Sequence, residues 1–155
     1  MTNSSNGFDK WDLEGPISDA IRQRGWTEPT EIQIESIPHA RKGRDIVGQA
    51  RTGSGKTAAF GIPILEKCNV SGKIQAIVLC PTRELAVQVS EELSILQGEK
   101  GLAIQTVYGG TDLEKQAKKL GEGTDIVVGT PGRVIDMSKR GHLNLETVSL
   151  FCLDE

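Results

Sequence analysis

Gly53, Gly55, Lys56 and Thr57 stand together in the run Gln49-Ala50-Arg51-Thr52-Gly53-Ser54-Gly55-Lys56-Thr57, between an apolar stretch at Asp45-Ile46-Val47-Gly48 and a helix-forming segment. Glycines accept backbone dihedrals that other residues resist, so successive N–H groups can turn inward as an anion-binding nest. Lys56 falls at the start of the following helix, where its ammonium and the helix's own positive end converge on outer phosphates. Thr57 offers a hydroxyl to magnesium. Ala50 departs from the strict spacing, standing where the first glycine of a phosphate loop is expected. The chemistry is that of a loop holding a nucleoside triphosphate; the bland alternative is a Gly/Ser-rich turn that binds nothing.

A second group closes the sequence. Asp154-Glu155 follows the apolar run Val148-Ser149-Leu150-Phe151-Cys152-Leu153. In a phosphate-loop protein, an acidic pair at the carboxyl end of a strand is the expected magnesium and water site: Asp154 holds the metal, and Glu155 orients and deprotonates the attacking water. Without the loop upstream, the pair would be two solvated charges.

The elements that must position these groups alternate along the chain. Pro16 after Gly15 opens a helical segment with Ile17, Ala20 and Ile21 on one face, and Gly25 closes it. A second helix follows Pro29 through Ile32, Ile34 and Ile37, with Pro38 as a potential kink. Strands are predicted at Asp45-Ile46-Val47, Ala76-Ile77-Val78-Leu79, Ala103-Ile104-Gln105-Thr106-Val107, Ile126-Val127-Val128 and 148–153, and helices at about 56–67, 83–96, 112–120 and 132–140. Several strands are continuous apolar runs, as strands covered on both faces are. The fold class is therefore α/β, a parallel β-sheet flanked by helices on both faces.

In such sheets ligands sit at the carboxyl ends of the strands. The segments found there are Pro81-Thr82-Arg83-Glu84-Leu85-Ala86, Tyr108-Gly109-Gly110-Thr111 and Gly129-Thr130-Pro131-Gly132-Arg133. Each brings small residues, a hydroxyl or an arginine to a helix N-terminus, which suits the phosphates of a polymer held without base reading. Taken singly, Thr82 or Thr130 could be an ordinary N-cap and Pro131 an ordinary first helical residue. Three on one sheet edge favour the functional reading.

Bulk properties bound the rest. The 155 residues are one domain by length, with a formal net charge of -3 that argues against a generally basic nucleic-acid surface, so any such contact must be local. Cys68, Cys80 and Cys152 lie far apart and read as buried, reduced core residues. The polar stretch 1–7 reads as a flexible tail rather than a signal peptide, and no apolar run approaches a membrane span, so no membrane partner and an intracellular, cytoplasmic setting are expected. His39 and His142 have polar neighbours and no partner pattern; Lys115, Lys118 and Lys119 read as a solvated helix face.

With these residues in view, the chain resembles the first RecA-like, P-loop domain of a DEAD-box RNA helicase, over 8–155 and ending inside the family's motif II at Asp154-Glu155. The most specific piece is Gly25-Trp26-Thr27-Glu28-Pro29-Thr30-Glu31-Ile32-Gln33, which resembles the Q motif, with Phe8 as the isolated upstream aromatic. The resemblance implies an ATP or ADP site made by Phe8, Trp26, Gln33, Ala50, Arg51, Thr52, Gly53, Ser54, Gly55, Lys56 and Thr57. Phe8 would stack on adenine and Gln33 pair with its amino and N7 edge, a bidentate contact worth roughly 1 to 3 kcal/mol of discrimination that guanine cannot satisfy. Ala50 belongs to the family's version of the loop. Lys56, Asp154 and Glu155 would be catalytic, with Thr57 and Asp154 on Mg2+.

The same resemblance implies RNA-backbone contacts at Pro81, Thr82 and Arg83, at Gly109 and Gly110, and at Thr130, Pro131, Gly132 and Arg133, with 2′-hydroxyls favouring RNA over DNA. It also implies that a second RecA-like domain with its arginine fingers is missing from this chain. Such fingers supply roughly 10³ to 10⁵ in rate, or about 4 to 7 kcal/mol. The expectation is a fragment that binds adenine nucleotide, hydrolyses little and unwinds nothing. The competing readings are a DNA helicase or translocase, which needs no Phe8 and Gln33 arrangement, and a non-catalytic, nucleotide-gated RNA clamp.

Overall fold

Four short, largely apolar runs, three of them rich in β-branched residues, become strands in the computed structural model, which describes residues 6–42 and 55–154. They are β1 (Ala76–Leu79), β2 (Ile104–Val107), β3 (Ile126–Gly129) and β4 (Leu150–Leu153). All pair in parallel in the order β2-β3-β1-β4. Parallel neighbours need crossovers, and the periodic segments between the strands supply them as α4 (Arg83–Leu96), α5 (Leu113–Gly121) and α6 (Pro131–Lys139). Upstream lie α1 (Gly15–Gln23), α2 (Glu31–Arg41) and α3 (Lys56–Lys67). The predicted strand at 45–47 lies outside the described residues.

The chain divides into two compact units, one of residues 1–67 with 95–100, the other of residues 68–94 with 101–155. In the first, α1 starts with Pro16 in its first turn and is followed by Gly25 at φ 76°, burying Ile17, Ala20 and Ile21 as the periodicity requires. α2 runs past Pro38 to Arg41 and packs along α3. α3 is apolar nearly all round, burying Ala58, Ala59, Ile62, Ile64 and Leu65. Its last carbonyls are met by Lys100, whose Nζ donates to Leu65 O at 2.5 Å and Glu66 O at 3.3 Å while pairing with Glu14 at 3.0 Å. Arg41 lies 3.1 Å from Glu66, yet burial still raises the Glu66 carboxyl above its ordinary value.

Residues 1–5 of the expected tail are outside the described residues. Asn6 and Gly7 are held: Asn6 Nδ2 donates to Trp26 O at 2.6 Å and Gly7 N to Thr27 O at 2.6 Å.

In the second unit Ile77, Val107, Val127, Val134, Met137 and Leu143 form one apolar cluster, with Leu113 and Ala117 of α5 packed against it. The interior strand β3 is buried at every position and β1 at three of four. β4, paired with β1 alone among the described residues, alternates, leaving Phe151 61% and Leu153 71% exposed. Cys68 and Cys80 are buried, reduced thiols as expected, whereas Cys152 is only half-buried. Opposite the carboxyl edge, buried Asp125 ties the chain together. Its Oδ1 accepts from Ser71 N at 3.0 Å, Gly72 N at 2.8 Å and Gln75 Nε2 at 3.2 Å, and its Oδ2 from Ala103 N at 2.9 Å.

Candidate nucleotide and RNA-backbone sites

Gln33 occupies the third position of α2, and the local sequence Thr30-Glu31-Ile32-Gln33 makes a reciprocal cap. The Thr30 hydroxyl accepts from the Gln33 N–H, and the Gln33 Oε1 accepts from the Thr30 N–H at 2.9 Å. The other half of the amide, Nε2, donates to Gly55 O at 3.2 Å. Gly55 O also accepts from Ala59 N at 3.1 Å, so it opens α3. Gly55 stands at φ 87°, and a Cβ there would lie 2.5 Å from Gln33 Nε2 and 2.7 Å from Thr30 Oγ1. Only glycine fits, on both dihedral and space.

Gln33 is 1% exposed. With one bond made by each amide atom to the described residues, the donor and acceptor inventory leaves one N–H and one lone pair over. Lys56 and Thr57, both half-buried, form the first turn of α3, whose leading N–H groups have no acceptor within the helix. Ala50, Arg51, Thr52, Gly53 and Ser54 lie outside the described residues.

Phe8 sits in a 3-10 turn spanning Gly7–Trp11 that is capped by Asn6. Its ring is 3% exposed, edge-on to Trp11 at 5.8 Å and stacked with Trp26 at 6.2 Å between centroids. The Arg24 guanidinium lies 4.4 Å over Trp26. The structure thus brings Phe8 and Trp26 together, adding Trp11 and Arg24, which sequence reasoning did not single out.

In the second unit the register aligns Leu79, Val107, Gly129 and Leu153, so the segments that follow them leave from one edge. Pro81, Thr82 and Arg83 are exposed there, as are Gly109, Gly110, Pro131 and Gly132, while Thr130 and Arg133 are half-buried. Thr82 does cap α4, its Oγ1 accepting from Leu85 N at 3.2 Å, but Arg83 turns over the Tyr108 ring at 4.7 Å. Gly129 permits the close approach of neighbours, since a Cβ would press on Val107 O and lie 2.7 Å from Val134 Cγ2.

Arg133 is tied to Tyr108 and Thr111, which flank the glycine doublet, through a residue that sequence analysis missed. Its Nη1 donates to Gln116 Oε1 and its Nη2 to Thr111 O, both at 3.1 Å. Gln116 Nε2 in turn donates to Tyr108 O at 3.1 Å and Thr111 Oγ1 at 2.6 Å. The available signal was an amide on the inner stripe of α5, beside Leu113, Ala117 and Leu120. Asp154 ends β4, 6% exposed, with its N–H on Leu79 O at 2.8 Å. Glu155 lies outside the described residues. His142 and His39 are exposed and belong to neither site.

In the first unit Thr57 offers a hydroxyl and in the second Asp154 offers a carboxylate, each taken by itself a hard oxygen donor of the kind Mg2+ takes. That donor chemistry fits the metal the fold implies.

The parallel sheet, its helical crossovers and the glycine that opens α3 define an α/β domain of the RecA-like class. The DEAD/DEAH box helicase model matches residues 30–155, and the chain belongs to that family. It is similar to the DEAD-box ATP-dependent RNA helicase CshA of Geobacillus kaustophilus, 48% identical over 96% of this chain and 32% of the relative. It is also similar to a probable ATP-dependent RNA helicase, MJ0669, of Methanocaldococcus jannaschii, 49% identical over 96% of this chain and 40% of the relative. Among solved structures, a DEAD box protein from the hyperthermophile Methanococcus jannaschii superposes with a TM-score of 0.91 at 49% identity, over 96% of this chain and 41% of that one. A hypothetical ATP-dependent RNA helicase from Sulfolobus tokodaii gives 0.84 at 37% identity, over 92% and 41%. The chain thus spans about a third of the length of the curated relatives it matches. Among the described residues no helix is long and apolar enough to cross a membrane.

Proposed function

We propose that this chain, over 8–155, is the ATP-binding and RNA-backbone-binding RecA-like domain of an ATP-dependent RNA helicase acting in the cytoplasm. The observation that carries the nucleotide half is the Gln33 amide, bonded at once to Thr30 and to the glycine that opens α3. One side chain thereby joins a planar hydrogen-bonding edge to the head of a phosphate-binding helix. On this reading Gln33 pairs with adenine, Phe8 and Trp26 supply the aromatic wall, and residues 50–57 hold the phosphates.

Lys56 offsets charge on the outer phosphate oxygens as the leaving bond lengthens. Thr57 and Asp154 are the residues that would hold Mg2+, which would supply positive charge to offset that of the phosphates. Glu155 would orient the attacking water and take its proton. On its own the 155-residue chain is expected to bind nucleotide, hydrolyse it slowly and leave duplexes closed, because arginine fingers would come from outside it.

The RNA half rests on the shared sheet edge of 81–83, 109–110 and 130–133. Small exposed residues, Thr hydroxyls and two arginines suit phosphates and sugars rather than bases. Calorimetric titration with Mg-ADP and Mg-GDP, repeated on Gln33→Ala, tests the nucleotide half. Binding of ADP alone, weakened by the substitution, supports the adenine site; equal binding of both nucleotides rejects it. A preference for single-stranded DNA over RNA would reassign the polymer.

A further inference from the structure

β2 is an edge strand, paired among the described residues with β3 alone, and α5 lies beside it. Between them runs a groove of about 320 Å³ whose lining includes Gln105, Tyr108, Lys115, Gln116 and Lys119. Lys115 and Lys119 are one helical turn apart, so both ammonium groups serve the same face of α5. Both are exposed, and neither belongs to an ion pair among the described residues. Glu114 shares the helix but does not line the groove. On a chain of net charge -3, this is a local concentration of unpaired positive charge.

The groove is continuous with the strand-end segments. Tyr108 lies in its lining and immediately precedes Gly109-Gly110, and Gln116 bonds both Tyr108 and Arg133. We infer that the groove is a further phosphate subsite for single-stranded RNA, in which Lys115 and Lys119 hold the backbone beyond the glycine doublet and Gln105 adds a neutral amide. The inference rests on the RNA-backbone reading of Gly109-Gly110. It assigns to the lysine face a role that a merely solvated helix would not have.

The test is the salt dependence of RNA binding, measured by fluorescence anisotropy on the wild type and on Lys115→Gln with Lys119→Gln. Two oligouridylates are used, of roughly 4 and roughly 12 nucleotides, which bracket single-strand site sizes. Each phosphate contact on a single strand contributes about 0.7 to the slope of log K against log salt. The double variant is therefore expected to lose about 1.4 of slope on the long strand and none on the short one, with an unchanged unfolding transition. An unchanged slope on the long strand overturns the subsite while leaving the strand-end reading intact. Equal losses on both strands also overturn it, because the lysines would then act only as a general field. A wild type that binds neither strand overturns the RNA reading and the subsite together. Unchanged slopes, with a glutamate-rich peptide captured by the wild type and not by the variant, would reassign the groove to acidic peptides.

Discussion

The side-chain amide of Gln33 donates to the carbonyl of Gly55 at 3.2 Å, and that carbonyl also receives the N–H of Ala59, the fourth residue of α3. The third position of one helix is therefore bonded to the residue that opens the next. Gly55→Ala places a Cβ against Gln33 and Thr30 at a positive φ. The expected result is a loss of roughly 1 kcal/mol or more of stability, together with weaker ADP binding. Urea unfolding and calorimetry on the same preparation check it; full ADP affinity in the variant would mean that this contact does not shape the nucleotide site.

Gln116→Ala removes the hinge between Arg133 and the Tyr108 and Thr111 segment. Losing hydrogen bonds worth about 0.5 to 1.5 kcal/mol each should lower RNA affinity several-fold while ADP affinity stays as it was. A cycle with Arg133→Ala should be non-additive, since both substitutions dismantle one network. Additive losses would show that Gln116 acts independently of Arg133.

Asp125→Ala strips the acceptor from three backbone N–H groups and the Gln75 amide at a site 1% exposed. Buried donors left without a charged acceptor place this among the severe substitutions, with an expected loss of about 3 kcal/mol or more. Chemical denaturation measures it. A loss below about 1 kcal/mol would mean that water replaces the carboxylate at low cost.

Burial raises the Glu66 carboxyl above its ordinary value of 4.5, outweighing the lowering effect of Arg41. The folded state keeps this proton to higher pH than the unfolded chain does. The associated stability is therefore full below about 4.5 and is lost as pH rises through the raised folded value. Glu66→Gln lacks that slope, so its stability relative to the wild type should improve from acid to neutral pH. Paired unfolding curves across that range check the sign; a wild type that gains on the variant as pH rises would show that the Arg41 pair dominates.

Much of the architecture was legible because it is written in local terms. Short apolar runs placed β1 to β4 and helical periods placed α3 to α6 to within a residue or two, and Pro16 and Gly25 bracketed α1. The strand-end rule located 81–83, 108–111 and 130–133 on one edge, since every crossover in a parallel sheet returns the chain in the same direction.

What lay beyond the sequence was partner choice among side chains distant in the chain. Phe8 lies against Trp26, Gln33 bonds Gly55, and Gln116 bridges Tyr108 to Arg133. No periodicity selects these pairs, because they depend on how turns and helix ends meet after the backbone has closed. Exposure along β4 is of the same kind. Its run of apolar residues reads like a strand covered on both faces, yet Phe151 and Leu153, which alternate with less exposed neighbours, stand exposed among the described residues. Residue types and spacing determine the elements and the family's chemistry; burial and long-range hydrogen bonds, which belong only to the folded chain, decide which groups are positioned to use it.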